Sequence, residues 1–106
     1  MIMWVRACAI EEVDEDDVIA VDIDGKSYAI YQSGDREFYA SDGNCTHGHA
    51  RLCDGLVMDG VIECPKHNGR FDYRTGTALG APVIEDLRTY ETKVEDGGVY
   101  IQLDGQ

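Results

Sequence analysis

Asp-Gly recurs six times in this chain, at 24-25, 42-43, 54-55, 59-60, 96-97 and 104-105. Both residues tolerate the positive φ of a type I′ turn, so Asp-Gly between apolar runs is a strong hairpin signal. Val18-Ile19-Ala20-Val21-Asp22-Ile23 meets Ser27-Tyr28-Ala29-Ile30-Tyr31 across the first pair, and Leu56-Val57-Met58 meets Val61-Ile62-Glu63 across the fourth. Glu37-Phe38-Tyr39-Ala40 follows a Ser33-Gly34-Asp35 turn. Thr89 to Val94 is expected to pair with Val99 to Leu103 across Asp96-Gly97-Gly98. No stretch of about 12 residues keeps a helical period. The pattern predicts an all-β fold, a small antiparallel sandwich or incomplete barrel.

With 106 residues, the chain is expected to form one domain, 1–106, with a thin core to whose order a metal or cofactor can contribute. Nine basic against 21 acidic side chains give a net charge of −12, which argues against nucleic acid and anionic membranes as partners and favours a partner with a basic face. No basic-then-apolar leader and no apolar run of spanning length is visible, so an intracellular, cytoplasmic location with reduced thiols is expected. Four Cys and three His then point toward metal more than toward disulfides.

Two glycine-bearing segments break the strand pattern: Gly43-Asn44-Cys45-Thr46-His47-Gly48-His49-Ala50 and Cys64-Pro65-Lys66-His67-Asn68-Gly69. Cys45-x-His47 and Cys64-x-x-His67 are separated by 16 residues, 48–63, which contain the hairpin around Asp59-Gly60. A hairpin returns the chain to its starting end and sets the two loops side by side. Each loop then offers one thiolate and one imidazole to a common centre. A tetrahedral zinc site could use the same set, but zinc fingers usually place their histidines together on a helix. Mixed pairs better suit a dinuclear cluster whose irons each take like ligands.

At these residues the chain resembles the Rieske-type 2Fe–2S domain family, whose signature is C-x-H, a gap of about 15 to 17, then C-x-x-H. The resemblance continues through Arg70-Phe71-Asp72-Tyr73-Arg74-Thr75-Gly76 and Gly80-Ala81-Pro82. It implies one 2Fe–2S cluster in a subdomain of about residues 43–83, with Cys45 and Cys64 on one iron and His47 and His67 on the other. It also implies that Gly80-Ala81-Pro82 forms a third, shielding loop. Respiratory Rieske subunits carry an extra Cys in each loop where Ala50 and Lys66 stand here, and Ser and Tyr hydroxyls where Gly69 and Phe71 stand. Hydrogen bonds to the sulfurs stabilise the reduced state, so their loss implies a potential at the low end of the Rieske range, roughly −150 mV.

Among the remaining residues, His49 is expected to be a solvent-facing loop residue, and Cys8 and Cys53 small buried apolar ones. Glu11, Glu12 and Asp14 to Asp17 read as a solvated turn, Lys66 and Arg70 as a local positive collar, and Trp4 and the tyrosines as sheet packing. No residue is expected to be catalytic. A Rieske domain of this size resembles the ferredoxin component of multicomponent Rieske oxygenases. The resemblance implies a monomeric one-electron carrier between an NAD(P)H-dependent flavoprotein reductase and the Rieske centre of a terminal oxygenase. The alternatives are a Rieske-like small subunit of a nitrite-reductase-type enzyme and a zinc-bound structural module.

Overall fold

A computed structural model describes residues 2–46, 50–66, 68–80 and 85–104. Among the described residues, ten strands build three antiparallel sheets. The strands are β1 (Ile2–Ala9), β2 (Asp17–Ile23), β3 (Lys26–Gln32), β4 (Phe38–Asp42), β5 (Leu56–Met58), β6 (Val61–Glu63), β7 (Arg70–Asp72), β8 (Thr89–Tyr90), β9 (Thr92–Glu95) and β10 (Gly98–Asp104). One sheet runs β1-β10-β9, a second β2-β3-β4-β8 and a third β5-β6-β7. Two single-turn 3-10 helices, Ile10–Glu12 and Leu52–Asp54, join them.

The middle sheet is a wall between two hydrophobic cores. Tyr28 and Ile30 of β3 face one core and Ala29 and Tyr31 the other. Their register partners on β2 follow: Val18, opposite Tyr31, joins the second core, while Ile19, opposite Ile30, packs on the first. This is why β3 shows no polar alternation, since a strand covered on both faces has no solvent side to keep polar. The β1-β10-β9 sheet closes the first core with Cys8, Val99 and Ile101. The β5-β6-β7 sheet closes the second with Ile62 and Phe71.

Three of the six Asp-Gly pairs make the expected turns, with φ of 51° and 83° at Asp24-Gly25, 50° and 83° at Asp59-Gly60, and 48° and 75° at Asp96-Gly97. Gly98 is not part of the last turn: it opens β10 opposite Glu95. The other pairs differ. Asp42 ends β4, and Gly55 ends a 3-10 helix where a Cβ would fall 2.2 Å from the Glu63 carbonyl oxygen, so glycine is needed there for closeness. Gly105 lies outside the described residues.

The expected single strand from Thr89 to Val94 divides. Thr89–Tyr90 pairs with β4 in the middle sheet, and Thr92–Glu95 with β10 in the first. Glu91 is the hinge, its carbonyl accepting from Gln102 N at 2.9 Å while Thr92 Oγ1 donates to Phe38 O at 2.7 Å. The segment of residues 89–95 thus stitches two sheets together. Arg70–Asp72 is a strand that the sequence alone did not mark, being only three residues long. Among the described residues no helix is long and apolar enough to cross a membrane.

Candidate functional site

The two cysteine loops are built on one plan. An antiparallel bridge between Asn44 and Arg51 closes the first, and the register pair Glu63 and Arg70 closes the second. In each frame the paired residues are seven positions apart, and cysteine comes directly after the first. Inside the frames, Cys45 N donates to Ala50 O at 2.9 Å and Cys64 N to Gly69 O at 2.6 Å. The C-x-H and C-x-x-H motifs differ in length, yet the loops carrying them do not. Equal frames were the signal that motif spacing left hidden.

The β5-β6 hairpin between the loops does what the spacing predicts, returning the chain so that both cysteines enter the same core. Cys45 and Cys64 are buried, at 6% and 1% exposure, with Leu52, Ile62, Phe71, Tyr73 and Leu87 around them. Strand alternation explains the aim of Cys64: Ile62 points inward and Glu63 outward, so Cys64 points inward again. Leu52 N donates to Gly43 O at 2.9 Å, anchoring the exit of the first loop to its entry. Thr46 Oγ1 donates to Glu85 O at 3.0 Å, tying that loop to the segment after residue 84.

Burial pushes the Cys64 thiol above its ordinary pKa, the Lys66 backbone N–H pulls it down, and a hydrogen bond with the Cys45 side chain raises it again. In this apolar core the thiolate form of Cys64 is disfavoured unless something positive binds it. The two thiols are well placed for a thiophilic metal, which takes both as thiolates and releases their protons. The donor set therefore fits an iron bound by two cysteines. His47, His49 and His67 lie outside the described residues, as do Ala81 and Pro82.

The collar expected from Lys66 and Arg70 is weaker than the sequence implied. Lys66 is exposed, but Arg70 Nε lies 3.0 Å from Glu63 Oε1, across the mouth of the second loop. Cys8 is buried as expected, whereas Cys53 is half-exposed on the 3-10 helix, its Sγ 3.9 Å from Asp54 Oδ1. Glu11 and Glu12 do form an exposed turn, pinned by Val13 buried beneath it. Trp4 is not packed inside the sheets: it is 38% exposed, with Lys93 Nζ 4.7 Å from its ring centre.

The tyrosines do pack. Tyr31 and Tyr73 stack at 4.6 Å and 3°, and Tyr39 meets Tyr73 edge-on at 5.6 Å. Tyr31 is anchored through its hydroxyl, 2.7 Å from Ser41 Oγ. This stack forms one wall of the core that holds the cysteines. A cavity of about 600 Å³ is lined by Met3, Val5, Ile23, Tyr28 and Leu103 among others, at the core without Cys45 and Cys64.

Comparison with known proteins agrees with this geometry. The chain is 47% identical over 100 residues to the ferredoxin component of the naphthalene 1,2-dioxygenase system of Pseudomonas aeruginosa, covering 94% of this chain and 95% of that one. The solved Sphingomonas yanoikuyae B1 ferredoxin superposes with a TM-score of 0.88 at 36% identity, over 96% of this chain and all of that one. The ferredoxin fold also matches a chain solved in the complex of reduced oxygenase and oxidised ferredoxin of carbazole 1,9a-dioxygenase. That match has a TM-score of 0.86 at 36% identity, over 92% of this chain and 91% of that one. The Rieske [2Fe-2S] domain model matches residues 3–91, a span that holds both cysteine loops and all three sheets but for the last strands, and the chain belongs to the Rieske [2Fe-2S] domain family.

Proposed function

We propose that this chain is the ferredoxin component of a multicomponent aromatic-ring dioxygenase system, carrying single electrons to a terminal oxygenase. The convergence of Cys45 and Cys64 from matched loops into one buried core carries this reading. Near-full-length identity to a dioxygenase ferredoxin component supports it over a nitrite-reductase-type small subunit or a zinc module. The chain is an electron carrier and not itself an enzyme.

Its cofactor is a Rieske-type 2Fe–2S cluster. Within residues 43–83, Cys45 and Cys64 would hold one iron and His47 and His67 the other, the division of ligands that defines such a centre. When bound, the cluster supplies one reversible one-electron couple and no open position for substrate. The chain does the rest. Leu52, Ile62, Phe71 and Tyr73 keep water from the cysteine side, and the Cys64 N to Gly69 O and Cys45 N to Ala50 O bonds hold both thiolates in place. His47 and His67 follow Cys45 and Cys64 by two and three positions, and as ligands of the second iron they would be the exit for electrons.

Electrons would arrive from an NAD(P)H-dependent flavoprotein reductase, the chain acting as a monomer in the cytoplasm. A charge of −12 favours fast, salt-sensitive encounters with basic partner faces, and small transient interfaces are usual for electron transfer. In a reconstituted assay with NADH, a flavoprotein reductase and a terminal aromatic-ring dioxygenase, adding the purified holoprotein should switch on product formation. No turnover with any such pair would overturn the reading. His47→Ala or His67→Ala should abolish the Rieske EPR signal, and an unchanged signal would refute the ligand assignment.

A further inference from the structure

The outward face of the third sheet is more apolar than a solvated surface needs to be. Phe71 pairs with Ala78 beyond β7, and Leu79 N donates to Arg70 O at 2.9 Å, so the sheet gains a fourth column. Its inward row is Val57, Ile62, Phe71 and Ala78, packed on the cysteine core. Its outward rows are Leu56-Glu63-Arg70-Leu79 and Met58-Val61-Asp72. Leu56, Met58 and Leu79 are 54%, 58% and 49% exposed around a depression of about 350 Å³. Glu63 and Arg70 lie in the middle of it but neutralise each other at 3.0 Å, which leaves Asp59 as the unpaired charge among the lining residues.

We infer that this face is a docking surface for the terminal oxygenase, which would set an apolar ridge bordered by basic side chains against Leu56, Met58 and Leu79. The inference rests on the function proposed above and assigns it a surface. Position is the first argument, because Glu63 and Arg70 of the patch are the two residues that frame the Cys64 loop. A partner seated here lies beside the frame of the Cys64 loop and not at the far core.

Size and charge select the occupant. Three half-exposed side chains cover on the order of a few hundred Å², which suits one edge of a transient electron-transfer contact and is far below what a stable dimer buries. A second copy would also bring its own −12 against this one. A basic-rimmed partner instead gains attraction from the surrounding acidic surface and desolvates the apolar centre. The oxygenase is favoured over the reductase because a ferredoxin 36% identical to this chain was solved in a complex with its oxygenase.

The test compares holoprotein of the wild type, Leu56→Gln/Met58→Gln, Leu79→Gln and the control Val94→Gln, a 50% exposed apolar residue on β9. Visible and EPR spectra check cluster loading, and Leu79→Gln keeps the test alive if the double variant loads poorly. The double variant should raise the KM for ferredoxin in oxygenase turnover at least 10-fold (about 1.4 kcal/mol). Its kcat and its reduction by the reductase should stay within about twofold. Leu79→Gln should raise the same KM about threefold, and Val94→Gln should leave it unchanged. An oxygenase KM within twofold of wild type in the double variant, or an equal rise at the reductase step, would overturn the assignment. Wild type that supports no turnover would instead refute the parent function.

Discussion

The two cores sit back to back on β3, and they are built by different means. The core of Ile30, Val99 and Ile101 is framed by strands of seven and eight residues, β1, β2, β3 and β10. Long ladders with alternating side chains can hold it by strand pairing and burial alone. The core of Leu52, Ile62 and Phe71 is closed by three strands of three residues each and by two loops. So little ladder holds few residues in place, and sheets this small are marginal by themselves. Although Val18, Ala29 and Tyr31 of the shared wall also line it, the cysteine half is expected to depend on what its loops bind more than the other half does.

Removing a buried side chain from each core gives the largest expected contrast. Leu52 and Ile30 are both fully buried, and either change to Ala should cost about 2–5 kcal/mol. The Leu52 side chain follows the first cysteine loop and packs in the same core as Cys45 and Cys64, so Leu52→Ala should also speed cluster loss several-fold. Ile30→Ala should lower the melting temperature with cluster retention close to wild type. Visible absorbance followed beside far-UV circular dichroism during melting separates the two. If both variants bleach at the same rate, the halves are not independent.

The same difference governs what could be read from the residues. The long strands declare themselves by apolar alternation, and Asp24-Gly25, Asp59-Gly60 and Asp96-Gly97 declare their turns, because local backbone physics decides both. The ligand motifs were legible because thiolate and imidazole chemistry limits which residues can serve. The matched frames were not legible, since Asn44-Arg51 and Glu63-Arg70 are ordinary polar residues whose pairing is fixed by the whole fold. Nor was the split at Glu91. A six-residue β-rich run looks like one strand until a second sheet competes for half of it.

A smaller perturbation tests how the cysteine half tunes its electron. Gly69 is buried and its carbonyl accepts from Cys64 N, at the position where the Rieske resemblance implies a hydroxyl-bearing residue in respiratory subunits. Gly69→Ser adds a donor beside the Cys64 thiolate. One hydrogen bond of about 1 kcal/mol to the reduced state corresponds to about 40 mV for a single electron. The midpoint potential should rise by about that amount in protein-film voltammetry. A fall, or no change with the cluster intact, would mean that the loop already satisfies its sulfurs in another way.

The smallest effect belongs to the other half, where a cysteine serves as packing. Cys8 is buried on β1 and its thiol is pushed up to about 11, mainly by burial, then by the Glu12 carboxylate, with Arg6 opposing. A folded pKa above the unfolded one disfavours the thiolate in the native state. The associated stability is fully present below the ordinary thiol pKa and is lost as pH rises through about 11. Cys8→Ala removes that slope, so the difference in unfolding free energy between the variant and wild type should shrink as pH goes from 8 to 11. A thiol reagent at pH 8 should meanwhile label half-exposed Cys53 ahead of Cys8, because Cys8 reacts as a thiolate only after the β1-β10 pairing opens. Labelling of Cys8 at the rate of Cys53 would show that the β1-β10 pairing gives its buried thiol no protection, and the long-strand half would lose the ladder stability that sets it apart.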